Sequence, residues 1–351
     1  MLKNNEKWQD WHWQMSNRID TLQKADKVFR LCPEEEAAFK MKLRVPFAVT
    51  PYYAEVVKNT PMRKAVIPCA AEKDEKDGES LDPLGEEECC VFPNLVHRYK
   101  DRVLFLVDNF CPAYCRYCTR GRRIGNNAYN YDNWQQVFDY ITSHPEVRDV
   151  LISGGEPLLL SDERLDFLLG ELRKIKTVEI MRIGTKAPVT LPMRITEKLV
   201  SIMKKYPPLY LSIHACHPCE ITDDVARACN MLADAGVQLA SQTVLLKGIN
   251  DDSDVLIDLM HRLLKVRVRP YYLFQCDAMK GLSHFRVKVR DGIRIIDEMR
   301  GKTGGFSIPY YAIDIPNRFG KIAILPDRIV GFEDDYVKIK NFNGEIYEYP
   351  D

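Results

Sequence analysis

The sequence predicts an α/β protein whose parallel sheet is open or rolled into a partial barrel, with a helical N-terminal extension and a small C-terminal β appendage. Three observations predict it. From about residue 100, short apolar runs alternate with amphipathic stretches; the first seventy residues carry helical periodicity; the tail holds two alternating runs around Asn343-Gly344.

In the N-terminal part, "WQDWHWQMSNRIDTLQKADKVF" sets Trp8, Trp11, Met15 and Ile19 close to one helical stripe, which reads as a docking face. Residues 71–90, "AEKDEKDGESLDPLGEEECC", are charged, punctuated by Gly and Pro and nearly without aliphatics, so a loop or linker is expected. Six strands are expected next: "RVLFLVDN" (102–109), "RDVLISGG" (148–155), "VEIMRIGT" (178–185), "LYLSIHA" (209–215), "VQLASQTVLL" (237–246) and "VRPYYLFQC" (268–276). Helical stretches such as "DERLDFLLGELRKI" (162–175) and "ITEKLVSIMKKY" (195–206) separate them, the signature of βα units. In such folds, chemistry collects at the C-terminal strand ends. The tail "VKIKNFNGEIYEY" (337–349) reads as a hairpin turning at Asn343-Gly344.

The bulk numbers bound the function. The chain has 351 residues, 46% of them hydrophobic, enough for a sizeable core. Fifty basic residues balance fifty acidic ones, so no global field favours nucleic acid or an anionic membrane. Eleven cysteines are too few for a disulfide scaffold and odd in number; metal or redox use in a reducing compartment fits better. The polar, aromatic N-terminus has no signal-peptide pattern, and no stretch approaches the length of a membrane span. A cytoplasmic protein, binding neither nucleic acid nor membrane, is expected.

The chemistry concentrates in "DNFCPAYCRYCTRGRR" (108–123), where Cys111, Cys115 and Cys118 follow directly on the first core strand. Zinc sites usually pair two CxxC units and fill four positions, and no second CxxC lies nearby. Three thiolates in a short loop suit a [4Fe–4S] cluster with one iron left open to a small chelating molecule. At the end of the second core strand, "SGGEP" brings two glycines that let backbone approach a ligand and Glu156, a carboxylate for an ammonium group. A separate "HACHPCE" holds Cys216, His217 and Cys219; a second metal site is conceivable, but no fourth ligand suggests itself, and ordinary strand-end residues are the preferred reading.

The CxxxCxxC spacing, with Tyr117 before the last cysteine, resembles the radical S-adenosylmethionine (SAM) superfamily, in which the amino and carboxylate groups of SAM take the open iron. There, Gly154, Gly155 and Glu156 correspond to the contact with the methionine part of SAM. "HRYKDRVLFLVDNFCPAYCRYCTR", "LISGGEPLLLSDERL", "RVRPYYLFQCD" and "GLSHFR" reach further and resemble the lysine 2,3-aminomutase family over nearly the whole chain. That resemblance implies a partial (β/α)6 barrel and pyridoxal 5′-phosphate (PLP) beside SAM and the cluster. It divides the chain into a helical extension and linker (1–95), the barrel core (96–300) and a C-terminal segment with the PLP lysine and hairpin (301–351).

By the same resemblance, Lys321 in "IDIPNRFGKIAILP" is the catalytic lysine that binds PLP, and such a lysine needs a neutral amine. The family shows a glycine run before it; Asn317, Arg318 and Phe319 stand there in this chain, with Arg318 able to serve an anion or to block cofactor. Arg98 and Arg102 match arginines near the PLP phosphate. Arg120 matches the arginine for the substrate carboxylate, a task suited to a planar fork. Asp277 and Asp314 match the two aspartates that read the ε-ammonium of lysine. His214 and Gln242 fall at cofactor-side positions, and Phe274 replaces a usual tyrosine. The chain ends at Asp351 without the cysteine-bearing extension of longer relatives, so zinc sites and tetramers that depend on it are not expected.

The implied reaction moves the α-amino group of a cationic amino acid to its β-carbon, through a PLP aldimine and a 5′-deoxyadenosyl radical. L-lysine is the first expected substrate and arginine a competitor; two aspartates would repel glutamate. An electron donor such as flavodoxin or ferredoxin is implied, and a homodimer is left open. Two other readings stand beside it: a family member that has lost PLP and runs another reaction, and a non-catalytic iron–sulfur protein.

Overall fold

The computed structural model describes residues 6–125, 133–316 and 320–350; Asn317, Arg318 and Phe319 lie outside them. Four short helices open the chain: α1 (Trp11–Ser16), α2 (Leu22–Phe29), α3 (Pro33–Phe39) and α4 (Pro51–Val57). Side chains of Asp10, Thr21 and Thr50 cap the first, second and fourth by accepting backbone N–H bonds. The single stripe expected over Trp8–Ile19 is broken. The first helix ends at Ser16, and Ile19 instead pairs with Val49 in an antiparallel bridge. Trp8 and Ile19 are buried all the same. Gln14 is buried between them because its amide donates to Trp8 O and accepts from Tyr52 N.

Residues 71–90 are mostly irregular, as expected of a loop, and half of them are exposed, but Glu79 and Glu86 are buried. Glu72, Glu79 and Glu86 are paired with Arg116, Arg286 and Arg120. The segment also runs beside residues 277–280 through a parallel bridge between Ser80 and Met279. It is a strap laid over the sheet's loops.

The main sheet has ten strands in sequence order: β1 (Cys90–Phe92), β2 (Leu95–Tyr99), β3 (Arg102–Asp108), β4 (Asp149–Gly154), β5 (Ile180–Thr185), β6 (Leu209–His214), β7 (Gln238–Leu245), β8 (Arg269–Gln275), β9 (Tyr310–Ile315) and β10 (Gly320–Ala323). Strands β3 to β9 are parallel, while β1, β2 and β10 add antiparallel margins. All six expected strands form; β9 is a seventh parallel strand. No pairing between β1 and β10 is present among the described residues, so the barrel is partial.

Between the strands run α5 (Trp134–Ser143), α6 (Asp162–Lys174), α7 (Ala187–Thr190), α8 (Glu197–Met203), α9 (Asp223–Asp234), α10 (Ser253–Lys265) and α11 (Val289–Lys302). Helix α6 buries Leu165, Leu168, Leu169 and Leu172, α9 Val225, Ala228, Cys229 and Leu232, and α10 Leu256, Leu259, Met260 and Leu263. The shared i, i+3, i+4, i+7 spacing turns one apolar face of each helix to the core. Along β7, Ser241, Thr243 and Leu245 are buried, while the alternate half-buried Gln242 and Val244 line a cavity. The C-terminal β11 (Ile329–Phe332), β12 (Tyr336–Lys340) and β13 (Ile346–Pro350) form a separate antiparallel sheet. Among the described residues no helix is long and apolar enough to cross a membrane.

Candidate active site

A cavity of about 280 Å³ opens at the C-terminal strand ends, and the cysteine loop forms part of its wall. Strand β3 stops at Asp108, whose Oδ1 accepts from Asn109 N at 2.7 Å and Phe110 N at 3.1 Å, turning the chain into the loop. The N-terminal extension then holds that loop. Tyr114 N donates to Ala48 O and Arg116 N to Ala65 O, while Arg18 and Arg44 reach the carbonyls of Cys111 and Cys118, each at 2.8 Å.

All three cysteines line the cavity. Burial pushes each thiol up, Cys115 to about 11, so metal binding must draw off their protons. Among the described residues no three His, Cys, Asp or Glu side chains converge as a single metal ion requires. Three cysteines on the wall of one cavity suit a polynuclear cluster, in which each thiolate takes its own iron.

The Gly154–Glu156 turn sits against this loop. A Cβ on Gly154 (φ +131°) would lie 2.2 Å from Asp108 O, and one on Gly155 2.3 Å from Phe110 O. These glycines thus let the turn lie directly on the backbone of the cysteine loop, and both also line the cavity. Gly155 N and Glu156 N complete the contact by donating to Asp108 O and Phe110 O. The Glu156 carboxylate accepts from Thr185 Oγ1 (2.6 Å), Lys186 N (2.7 Å) and Leu158 N (3.1 Å), yet burial still pushes it up to about 7. A cationic ligand would restore its charge. His214 and Gln242, opposite one another on β6 and β7, lie 3.0 Å apart (Nε2 to Oε1). Burial and nearby Lys186 push His214 down to about 4, so a neutral imidazole donates to the amide oxygen.

Arg120, Asp277, Asp314 and Lys321 line the same cavity. Arg120 carries Glu86 on its Nε and Nη2 atoms, and its Nη1 lies 3.3 Å from Ser153 Oγ. Burial and the neighbouring Asp314 push Asp277 up to about 7. Lys321 pairs with Asp314 across β9 and β10, with Nζ 3.6 Å from Oδ2 and 4.2 Å from the centre of the Phe274 ring. Burial lowers its pKa, though Asp314 pulls the other way. Arg98 stands 3.9 Å from Asp314, whereas the guanidinium of Arg102 stacks on Tyr99 and pairs with Asp101. Neither arginine is part of the cavity wall.

Comparison with known proteins gives the family. The profile of the radical SAM superfamily matches residues 106–260, and one described as lysine-2,3-aminomutase matches 296–351. L-lysine 2,3-aminomutase of Clostridium subterminale is 44% identical over 349 residues, covering 97% of this chain and 84% of the relative. The chain belongs to the lysine 2,3-aminomutase family. It is therefore a radical SAM isomerase that uses a [4Fe–4S] cluster and SAM, and three cysteines with a buried carboxylate, Glu156, on one cavity wall fit those groups. L-lysine 2,3-aminomutase of Bacillus subtilis strain 168 is 42% identical over 99% of this chain and 75% of its own length. Glutamate 2,3-aminomutase of Clostridioides difficile is 38% identical over 99% and 83%.

Two parts of this lysine 2,3-aminomutase-like site escape a reading of sequence. One is Glu86, whose signal would be the four arginines of "RYCTRGRR" (116–123) needing acidic partners from elsewhere in the chain. The other is buried Glu220, which takes Lys186 Nζ at 2.6 Å, Tyr53 Oη at 2.5 Å and the N–H groups of Cys216 and His217. Glu220 thus orders the "HACHPCE" turn and keeps Lys186, a cavity-lining cation, protonated against the pull of burial.

Proposed function

We propose that the protein moves the α-amino group of L-lysine to the β-carbon, with PLP as a further cofactor. The observation that carries this reading is the pair Asp277 and Asp314 on a cavity wall shared with the three cysteines, Arg120 and Lys321. Two neighbouring carboxylates, one held up near pH 7 by the other and by burial, call for a cation between them. Glutamate would bring a further negative charge to that wall. A guanidinium satisfies the pair as an ammonium does, so arginine is compared alongside.

In this reading, Arg120 binds the substrate α-carboxylate and the two aspartates its distal cation, which fixes the backbone of the amino acid relative to the cluster loop. Glu156, His214 and Gln242 hold SAM. Lys321 offers PLP an amine whose proton burial has weakened, and Arg98, 3.9 Å from the cavity-lining Asp314, is the nearer of the two arginines to its phosphate, whereas Arg102 is held by Tyr99 and Asp101. Lys321 and Arg98 fit the group. When bound, the cluster and SAM supply a hydrogen-abstracting radical, and PLP supplies the π-system that lets nitrogen migrate. The N-terminal helices and the strap limit access of water to the strand ends. A reduced flavodoxin or ferredoxin supplies the electron.

Lys321 stays in register opposite Asp314 although residues 317–319 depart from the family's glycines, which favours retention of PLP. Anaerobic reconstitution with iron, sulfide, PLP, SAM and reductant tests the whole reading. Mass spectrometry and NMR are expected to detect β-lysine from lysine. SAM cleavage without an isomerised amino acid, from either lysine or arginine, would overturn it.

A further inference from the structure

We infer that Glu86, in the strap, is a positioning residue that aims Arg120 at the substrate carboxylate. The inference rests on the reading of Arg120 given above. Glu86 stands among acidic neighbours that composition marks as solvated, yet it is only 5% exposed. Its Oε1 lies 2.7 Å from Arg120 Nη2 and 3.0 Å from Nε, with Oε2 3.1 Å from Nε, so one carboxylate grips the Nε–Nη2 edge. Arg120 is on the cavity wall together with Ser153, which its Nη1 approaches; Glu86 is behind the wall. Glu86 therefore does not occupy the place of a substrate carboxylate.

The grip comes from a fixed point. Arg122 ties the strap to the cysteine loop on both sides of Glu86, through Asp82 at 2.9 Å and Glu87 at 2.7 Å. An arginine side chain has many rotamers to lose when it binds a ligand, and a partner that removes them beforehand spares the ligand that cost. Charge works the other way. The Glu86 carboxylate repels an incoming carboxylate and opposes ionisation of Asp277, so a purely electrostatic role would make its charge harmful to binding. Position and charge thus give opposite expectations, and two variants separate them. Glu86→Asp keeps the charge but withdraws it by one methylene; Glu86→Gln keeps the reach and an acceptor oxygen but drops the charge.

The experiment is anaerobic equilibrium dialysis of cluster- and PLP-loaded enzyme with L-lysine and with L-lysinamide, which lacks the carboxylate. The readout is the preference for lysine over lysinamide, which general loosening of the fold does not move. We expect Glu86→Asp to lose about tenfold of that preference, the scale of one charge-assisted contact, through weaker lysine binding. Glu86→Gln should stay within about threefold of the wild type, and Glu75→Gln, which breaks the strap's exposed pair with Lys280 and contacts neither Glu86 nor Arg120, should keep the preference. Retained preference in Glu86→Asp, or equal loss in Glu86→Gln, overturns the inference. If Arg120→Ala also keeps the preference, the carboxylate reading of Arg120 fails instead.

Discussion

Lys321 and Asp314 face each other across the β9–β10 ladder, their Nζ and Oδ2 atoms 3.6 Å apart. The pair sets the lysine's proton affinity: burial and Arg182 lower it, and Asp314 restores part. Lys321→Ala is expected to abolish the visible absorbance of lysine-bound PLP and to cut turnover by on the order of 10³-fold, leaving iron content unchanged. Asp314→Asn removes the anion that stabilises the ammonium, so the pH midpoint of PLP attachment should move down. Absorbance titration checks both.

Asp277 carries the pH dependence. Its folded pKa, about 7, lies above the ordinary carboxylate value of 3.8. The associated stability is fully present below the unfolded value and is lost as pH rises through about 7. Asp277→Asn should therefore raise Tm at pH 8 and change it little below pH 4. Binding of a cation prefers the ionised form, so lysine affinity should climb from pH 6 to pH 8 and flatten in Asp277→Asn. Asp314, Lys321, Glu86 and Arg120 also act on this carboxyl, so the comparison is made against the wild type across the whole range.

Much of the site is legible in sequence because its parts are local. Cys111, Cys115 and Cys118 fall within eight residues, and the Gly154–Glu156 turn ends a continuous apolar run. The six central strands are legible because each is a short run rich in apolar residues set off by helical stretches or polar loops. Strands β9 and β10 are less so: Asp314 interrupts the short run that opens β9, and β10 is only four residues long and begins on Gly320 and Lys321. Glu86 and Arg120, 34 positions apart, meet only after the strap folds across the loop, and a charged segment gives no local sign of burial. The stripe over Trp8–Ile19 has helical spacing, yet pairing of Ile19 with Val49 wins over a further helical turn.

Arg116 and Glu72 test the strap as a structural tie. The arginine is fully buried between Cys115 and Cys118; it donates from Nε to Glu72 at 2.7 Å and from Nη1 to Val45 O at 2.7 Å. Removing one member of a buried pair leaves the other charge uncompensated, at a cost of roughly 3–5 kcal/mol. Glu72→Ala should lower the unfolding free energy obtained from denaturant titration by a matching amount and reduce reconstituted iron. An exposed pair such as Arg148–Glu179 is the control: Glu179→Ala should leave stability close to that of the wild type.

Gly155 is where the two halves of the cofactor site touch. The Cβ of an alanine there would sit 2.3 Å from Phe110 O and 2.7 Å from Phe110 N, against backbone that cannot rotate aside as a side chain can. Either the turn or the cysteine loop must move, and the Glu156 N–H bond to Phe110 O at 2.7 Å would be strained or lost. Displacement of the loop shifts Cys111, the residue after Phe110, so Gly155→Ala should lower cluster content and SAM affinity together. The barrel core does not depend on this contact, so far-UV circular dichroism should be unchanged. Gly304→Ala, with no atom within 4 Å of the added methyl, should leave iron content and SAM binding at wild-type values. Full iron content and unaltered SAM affinity in Gly155→Ala would mean that the backbone contact does not hold the loop.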